Sequence, residues 1–97
     1  MSGDEDARLL AAVERMDLIR SFGQRIRTLR EERGMSSEEL AERCRIHRSA
    51  LSRIELGQSE PGLLMFLVVA EGLEMSPTDL LLPIKAPTKR APRHLTQ

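Results

Sequence analysis

The sequence predicts an all-α fold: one small domain with flanking segments. Leucine, isoleucine, valine and methionine recur at three- and four-residue intervals through most of the 97 residues, and no stretch alternates convincingly as a strand would. Serine caps and glycine or proline stops divide that pattern into short segments. Phe22 and Phe66 are the only aromatic residues, so the core is expected to be aliphatic. A chain of this length buries a modest core, and such domains often gain stability by pairing.

Residues 1–20 are expected as a helical extension. Leu9, Ala12, Val13, Met16 and Ile19 form an amphipathic stripe there, and Asp4, Glu5 and Asp6 suit a first turn. Ser21 with Gln24 stands as a capping box for a new helix, or the two segments run on as one; the sequence leaves both open. A domain then spans residues 21–83. Phe22, Ile26 and Leu29 carry a helix to Arg33, with Gly34 as its left-handed stop. Ser36 and Glu39 form a capping box that opens a second helix, ending near Cys44. A third segment covers about residues 47–56 and stops at Gly57. Pro61 fits the first turn of a fourth helix, whose inward face is expected to carry Leu63, Phe66, Leu67, Ala70 and Leu73. Ser76 caps, and Pro77 opens, a short fifth helix that Pro83 ends. Residues 84–97 hold four bases, two further prolines and no acid, and are expected as a flexible basic tail.

The net charge is zero, but it is unevenly spread. Residues 1–17 hold five acids and two bases, and residues 57–84 hold four acids and no base. Residues 18–56 hold nine arginines against six glutamates. Local field, not the total, decides attraction to phosphate. Cys44 is the single cysteine, which rules out an internal disulfide; it fits a reducing cytoplasm and buried packing rather than redox sensing. No apolar run approaches the ~18 residues of a membrane span. The acidic start is unlike a signal peptide. A cytoplasmic protein, with no membrane association, is expected. His47 and His94 are far apart, and no acidic or Cys/His cluster has metal-ligand spacing. Neither an enzyme nor a bound metal or cofactor is therefore expected.

The most informative stretch is residues 36–57, SSEELAERCRIHRSALSRIELG. Leu40 and Ala41 mark one short amphipathic segment, and Leu51 and Ile54 mark a second. About three residues centred on Arg45 and Ile46 join them, enough only for two helices meeting at a steep angle. Arg48, Ser49, Ser52 and Arg53 fall on the outward side of the second segment, and all are donors suited to base edges and phosphates. This is a helix-turn-helix whose second helix suits a major groove.

From about Phe22 to Leu81 the chain resembles the phage-repressor-type (Cro-like, or Xre) helix-turn-helix family. The resemblance rests on four features in order: IRTLREERG at the end of the first long helix, the helix-turn-helix itself, the Ile54-Glu55-Leu56-Gly57 stop, and the Ser76 cap. It implies a buried ion pair between Arg30 and Glu55 that ties the first helix to the reading head. It also implies base contacts from Arg48, Ser49 and Arg53, and phosphate contacts from Ser37 and His47, with Ser52 beside them. Three positions depart from the family pattern. Arg45 replaces the usual turn glycine, where a left-handed backbone costs about 1–2 kcal/mol, so either the turn is reshaped or Arg45 is recruited to phosphate. Ser37 replaces a common glutamine. His47 replaces a hydroxyl cap and is a poor one.

The fourth helix is apolar on nearly all sides, with Leu64, Met65, Val68 and Val69 added to the inward set. Such a helix needs cover on more than one side. A second copy supplies it, or the N-terminal helix folds back with Leu9, Val13 and Met16. Leu64, Met65, Val68, Leu9, Val13 and Met16 are accordingly the candidate dimer surface. The leading expectation is a sequence-specific transcription regulator that binds double-stranded DNA as a homodimer on a palindromic operator. The alternative is an antitoxin or adaptor that holds a protein partner through its N-terminal helix and regulates its own gene through the same domain.

Overall fold

Between Gly3 and Glu32 no proline interrupts the chain, and the one interior glycine, Gly23, is tolerated within a helix. The whole stretch forms a single thirty-residue helix, α1 (Gly3–Glu32). The computed structural model describes residues 3–84 and is all-helical there; the tail expected from residue 84 lies, beyond Ile84, outside the described residues. After α1 come α2 (Ser37–Cys44), α3 (Arg48–Glu55), α4 (Leu63–Gly72) and α5 (Pro77–Leu81). The extension is thus the first half of α1, not a helix of its own. The Ser21–Gln24 capping box does not form: Ser21 stays inside the helix, and Gln24 Nε2 donates to Thr28 Oγ1 at 3.4 Å. Nothing between Ile19 and Phe22 breaks the intrahelical ladder, so the cap has no helix start to serve.

Ile26 of α1, Leu40 of α2, Leu51 of α3, Val69 of α4, Leu73 at its C-cap and Leu80 of α5 are fully buried and form the centre of the core. Phe22 closes one end of it against Phe66, ring centroids 5.7 Å apart and planes inclined by 54°. Gly72 lets α4 approach α2: a Cβ there would lie 2.6 Å from Cys44 Sγ and 3.2 Å from Leu40 Cδ1. Burial, and secondarily the charge of Glu71, pushes the Cys44 thiol above its ordinary pKa, so it stays protonated and packs as a small apolar group.

The first four helices end alike. A residue with positive φ follows each: Gly34 (67°), Arg45 (56°), Gly57 (73°) and Glu74 (57°). The next N–H then donates back across six residues: Met35 to Arg30 O, Ile46 to Ala41 O, Gln58 to Arg53 O and Met75 to Ala70 O, at 2.8–3.0 Å. These are Schellman stops, which satisfy carbonyls that a helix end leaves bare. Ser36 and Ser76 do the same for N–H groups at the opposite ends, each accepting at 3.1 Å from the third residue on, Glu39 and Asp79. The turn at Arg45 is therefore not reshaped. It keeps the left-handed backbone with arginine in place of glycine.

The fourth helix corrects the sequence reading in three ways. It begins at Leu63 behind a Gly62 cap, so Pro61 stands before it and not in its first turn. Its buried residues are Val69, Ala70 and Gly72, followed by the buried C-cap Leu73, while Leu63 is 74% and Leu64 76% exposed, and Leu67 is exposed too. Met65 and Val68, placed by pattern on a dimer surface, are half-buried against the protein's own core. The cause is composition: a helix apolar on all sides has no polar face to fix its rotation, and the Gly72 contact with α2 fixes it instead. The N-terminal segment does not fold back over α4, because α1 runs on without a turn.

Arg45→Gly and Glu74→Gly should each stabilise the fold. Removing a left-handed side chain recovers about 1–2 kcal/mol, and the added freedom of the unfolded chain takes back about 0.4–1 kcal/mol. Thermal denaturation is expected to show a rise of several degrees in Tm for each variant; a fall in both would mean that these turns carry no strain.

Candidate nucleic-acid interface

The reading head is α2, the turn at Arg45, Ile46 and His47, and α3. Leu40, Ala41 and Cys44 hold α2 to the core, and Leu51 and Ile54 hold α3. With those faces buried, Arg48, Ser49, Ser52 and Arg53 are left exposed on the other side of α3, at spacings that put them on one strip. Arg45 and His47 are exposed beside it, and Ser37 is half-buried at the start of α2. Six of these seven residues are thus exposed on the turn and α3, and the seventh, Ser37, stands half-buried on α2. His47 caps α3 with extended backbone but makes no side-chain cap hydrogen bond.

This head is fixed to α1 at two points. Gly23 is the first: a Cβ there would collide with the carbonyl oxygens of Ile54 and Glu55, so the helices meet backbone to backbone. Arg30 is the second. Its Nε donates to Glu55 Oε2 at 2.8 Å, its Nη2 to Glu55 Oε1 at 3.0 Å, and its Nη1 to Met35 O at 2.9 Å. The two side chains are only 11% and 7% exposed. The hydrogen bond to Glu55 raises the Arg30 pKa above its ordinary value against the opposing cost of burial, so the guanidinium stays charged throughout the working pH range.

Several arginines of the basic segment belong to the fold and not to the interface. Arg25 donates to the carbonyls of Asp79 and Leu80, and Arg33 Nε to that of Leu73 at 3.0 Å. Arg43 pairs with Glu74 at 3.3 Å. Of the arginines in residues 18–56, Arg45, Arg48 and Arg53 are the ones exposed on the turn and α3. Pattern reading missed Glu38, whose Oε1 lies 3.2 Å from Arg48 Nη1, both side chains being well exposed. Such a surface pair contributes at most about 1 kcal/mol, so a phosphate or base can replace it. Its signal was an acid in the first turn of α2. Gly23 was missed too; its signal was a lone glycine inside a helical pattern.

Breaking the Arg30–Glu55 pair from either side leaves a buried charge without its partner. Arg30→Ala and Glu55→Ala should each cost about 3–5 kcal/mol in urea denaturation. A loss below about 1 kcal/mol, the scale of a surface pair, would show that the pair is solvated.

Among the described residues, no group of three His, Cys, Asp or Glu could hold a metal ion, and no helix is long and apolar enough to cross a membrane. Comparison with curated proteins gives no match. Among solved structures, the chain is similar to the restriction-modification controller protein C.AhdI from Aeromonas hydrophila, with 39% identity over 66% of this chain and 96% of that one, at a TM-score of 0.62. It is also similar to the clp gene regulator ClgR from Corynebacterium glutamicum, with 31% identity over 67% of this chain and 69% of that one, at a TM-score of 0.64. The helix-turn-helix family matches residues 26–80, from the fully buried Ile26 of α1 to the fully buried Leu80 of α5, so the match takes in both the reading head and the helices that hold it. With its strip of donors on one side of α3 and its first helix bound to the other side, this chain belongs to the Xre-like helix-turn-helix family of DNA-binding transcription regulators.

Proposed function

We propose that the protein is a sequence-specific regulator that binds a two-fold-symmetric operator as a homodimer, with α3 in the major groove. Arg48, Ser49 and Arg53 read base edges, and Ser37, Arg45, His47 and Ser52 engage phosphates. The observation that carries this reading is the exposed strip of α3: four hydrogen-bond donors and no carboxylate, since the helix's one acid, Glu55, is turned inward. An arginine fork matches the two acceptors of guanine in the major groove. The kinship with a restriction-modification controller and a clp gene regulator supports a regulatory role.

Pairing follows from reach. An eight-residue helix is about 12 Å long and spans roughly four base pairs, whereas two heads can read half-sites one helical turn, ~34 Å, apart. Outside the reading head, apolar surface for such pairing is exposed at Leu64 and at Leu9, Val13 and Met16.

Selection from a random DNA pool should yield a palindromic consensus. Against it, Arg48→Ala and Arg53→Ala are each expected to lose about 1–3 kcal/mol of binding, with stability unchanged within ~0.5 kcal/mol. Two variants that both keep the wild-type ratio of cognate to scrambled binding would remove these arginines from base reading.

A further inference from the structure

The apolar stripe on the first half of α1 has no cover among the described residues. Every buried residue of α1 lies at or beyond Phe22, whereas the exposed Leu9, Val13 and Met16 lie before it. A helical arm of that length is marginal in water unless something packs on it. The stripe is also bounded by charge. Asp6, Leu9, Val13, Met16 and Arg20 follow one another at alternating steps of three and four residues, which puts all five on one side of the helix. The acid stands toward the tip and the base at the root, each seven residues from Val13, and all five are exposed.

We infer that this face is a self-association surface, on which the arm of a second copy lies antiparallel with the two-fold axis beside Val13. The inference rests on the homodimer reading above and gives it a geometry. In this pairing Asp6 of each copy faces Arg20 of the other, twice by symmetry, while three apolar side chains from each arm leave water. A parallel pair would instead set Asp6 against Asp6. The second exposed apolar surface, around Leu63 and Leu64, fits a second copy less well. Residues 57–84 carry four acids and no base, so a symmetric contact there gathers like charges. The arm, residues 3–20, carries three bases beside its five acids and can set opposite charges across the axis once Arg20 exchanges its exposed 3.6 Å pair with Asp17. The spacing also suits the reading heads. With the axis beside Val13, the two Gly23 positions where α1 meets α3 fall about 30 Å apart along the paired helices, close to the ~34 Å of one DNA turn.

Sedimentation of the full chain without DNA tests this, with Asp6→Lys, Arg20→Glu, the double variant and Leu64→Lys beside the wild type. The wild type should be dimeric at tens of micromolar. D6K and R20E should each weaken dimerisation about tenfold or more, while the D6K/R20E double variant returns close to wild type and L64K has no effect. Rescue separates a charge contact from a general loss of helix at the tip, which a second substitution would not restore; circular dichroism monitors that loss directly. A wild type that dimerises through D6K and R20E unchanged, yet is broken by L64K, overturns the arm interface and leaves the homodimer standing. Weakening without rescue overturns the antiparallel register. A wild-type monomer overturns both the interface and the homodimer.

Discussion

The contact between Arg30 and Glu55 sets the relation between the scaffold and the reading head. A carboxylate at the last residue of α3 accepts two parallel bonds from a guanidinium on α1, and the same guanidinium reaches the Met35 carbonyl in the link to α2. Taking both charges out of water is costly, and an apolar pair of the same shape can be as stable. What an apolar pair lacks is direction. A planar fork bonded at three points fixes both the distance and the rotation of α3 relative to α1. Gly23 makes the approach close enough for the fork to reach, and the outward strip of α3 then faces one way only.

The chain's arginines divide between two tasks that composition cannot separate. Arg25 and Arg30 project from α1 and Arg33 from the residue that follows it, and each reaches main-chain carbonyls at a helix end or link: those of α5, of the α1–α2 connection and of Leu73 at the end of α4. They act as fasteners, since the last carbonyls of a helix have no partner within it. Fewer guanidinium groups are free to make direct contacts than a count over residues 18–56 implies. Those exposed on the turn and α3 are Arg45, Arg48 and Arg53, with Glu38 beside Arg48. Discrimination at such a surface depends on where the few free guanidinium groups point more than on total charge.

Much of this was legible in the sequence because the signals are local. Ser36 and Ser76 cap, Gly34 and Gly57 stop, and the interval between α2 and α3 allows only a steep turn; each depends on a few adjacent residues. The strip of α3 was legible for the same reason, since Leu51 and Ile54 fix its rotation. What failed was non-local. Capping residues at Ser21 and Gln24 cannot reveal that the helix has already begun eighteen residues earlier. The rotation of α4 depends on Gly72 meeting Cys44 across the core, and its own sequence offers no polar face from which to infer it. Arg25 and Arg33 read as surface charge until their carbonyl partners, forty or more residues away, are brought beside them.

The continuity of α1 gives the molecule a mechanical property. From Gly23, where it touches α3, to Gly3 at its tip, the helix is an unbroken rod about 30 Å long. A rod held at one end is a lever: a tilt of about 10° at the joint carries the tip through about 5 Å. Small reorientations of the reading head, of the kind by which a protein adjusts to a bent or straight duplex, are therefore magnified at the far end of the molecule. A spectroscopic label near Gly3 would register as displacement what at the DNA surface is only a change of angle.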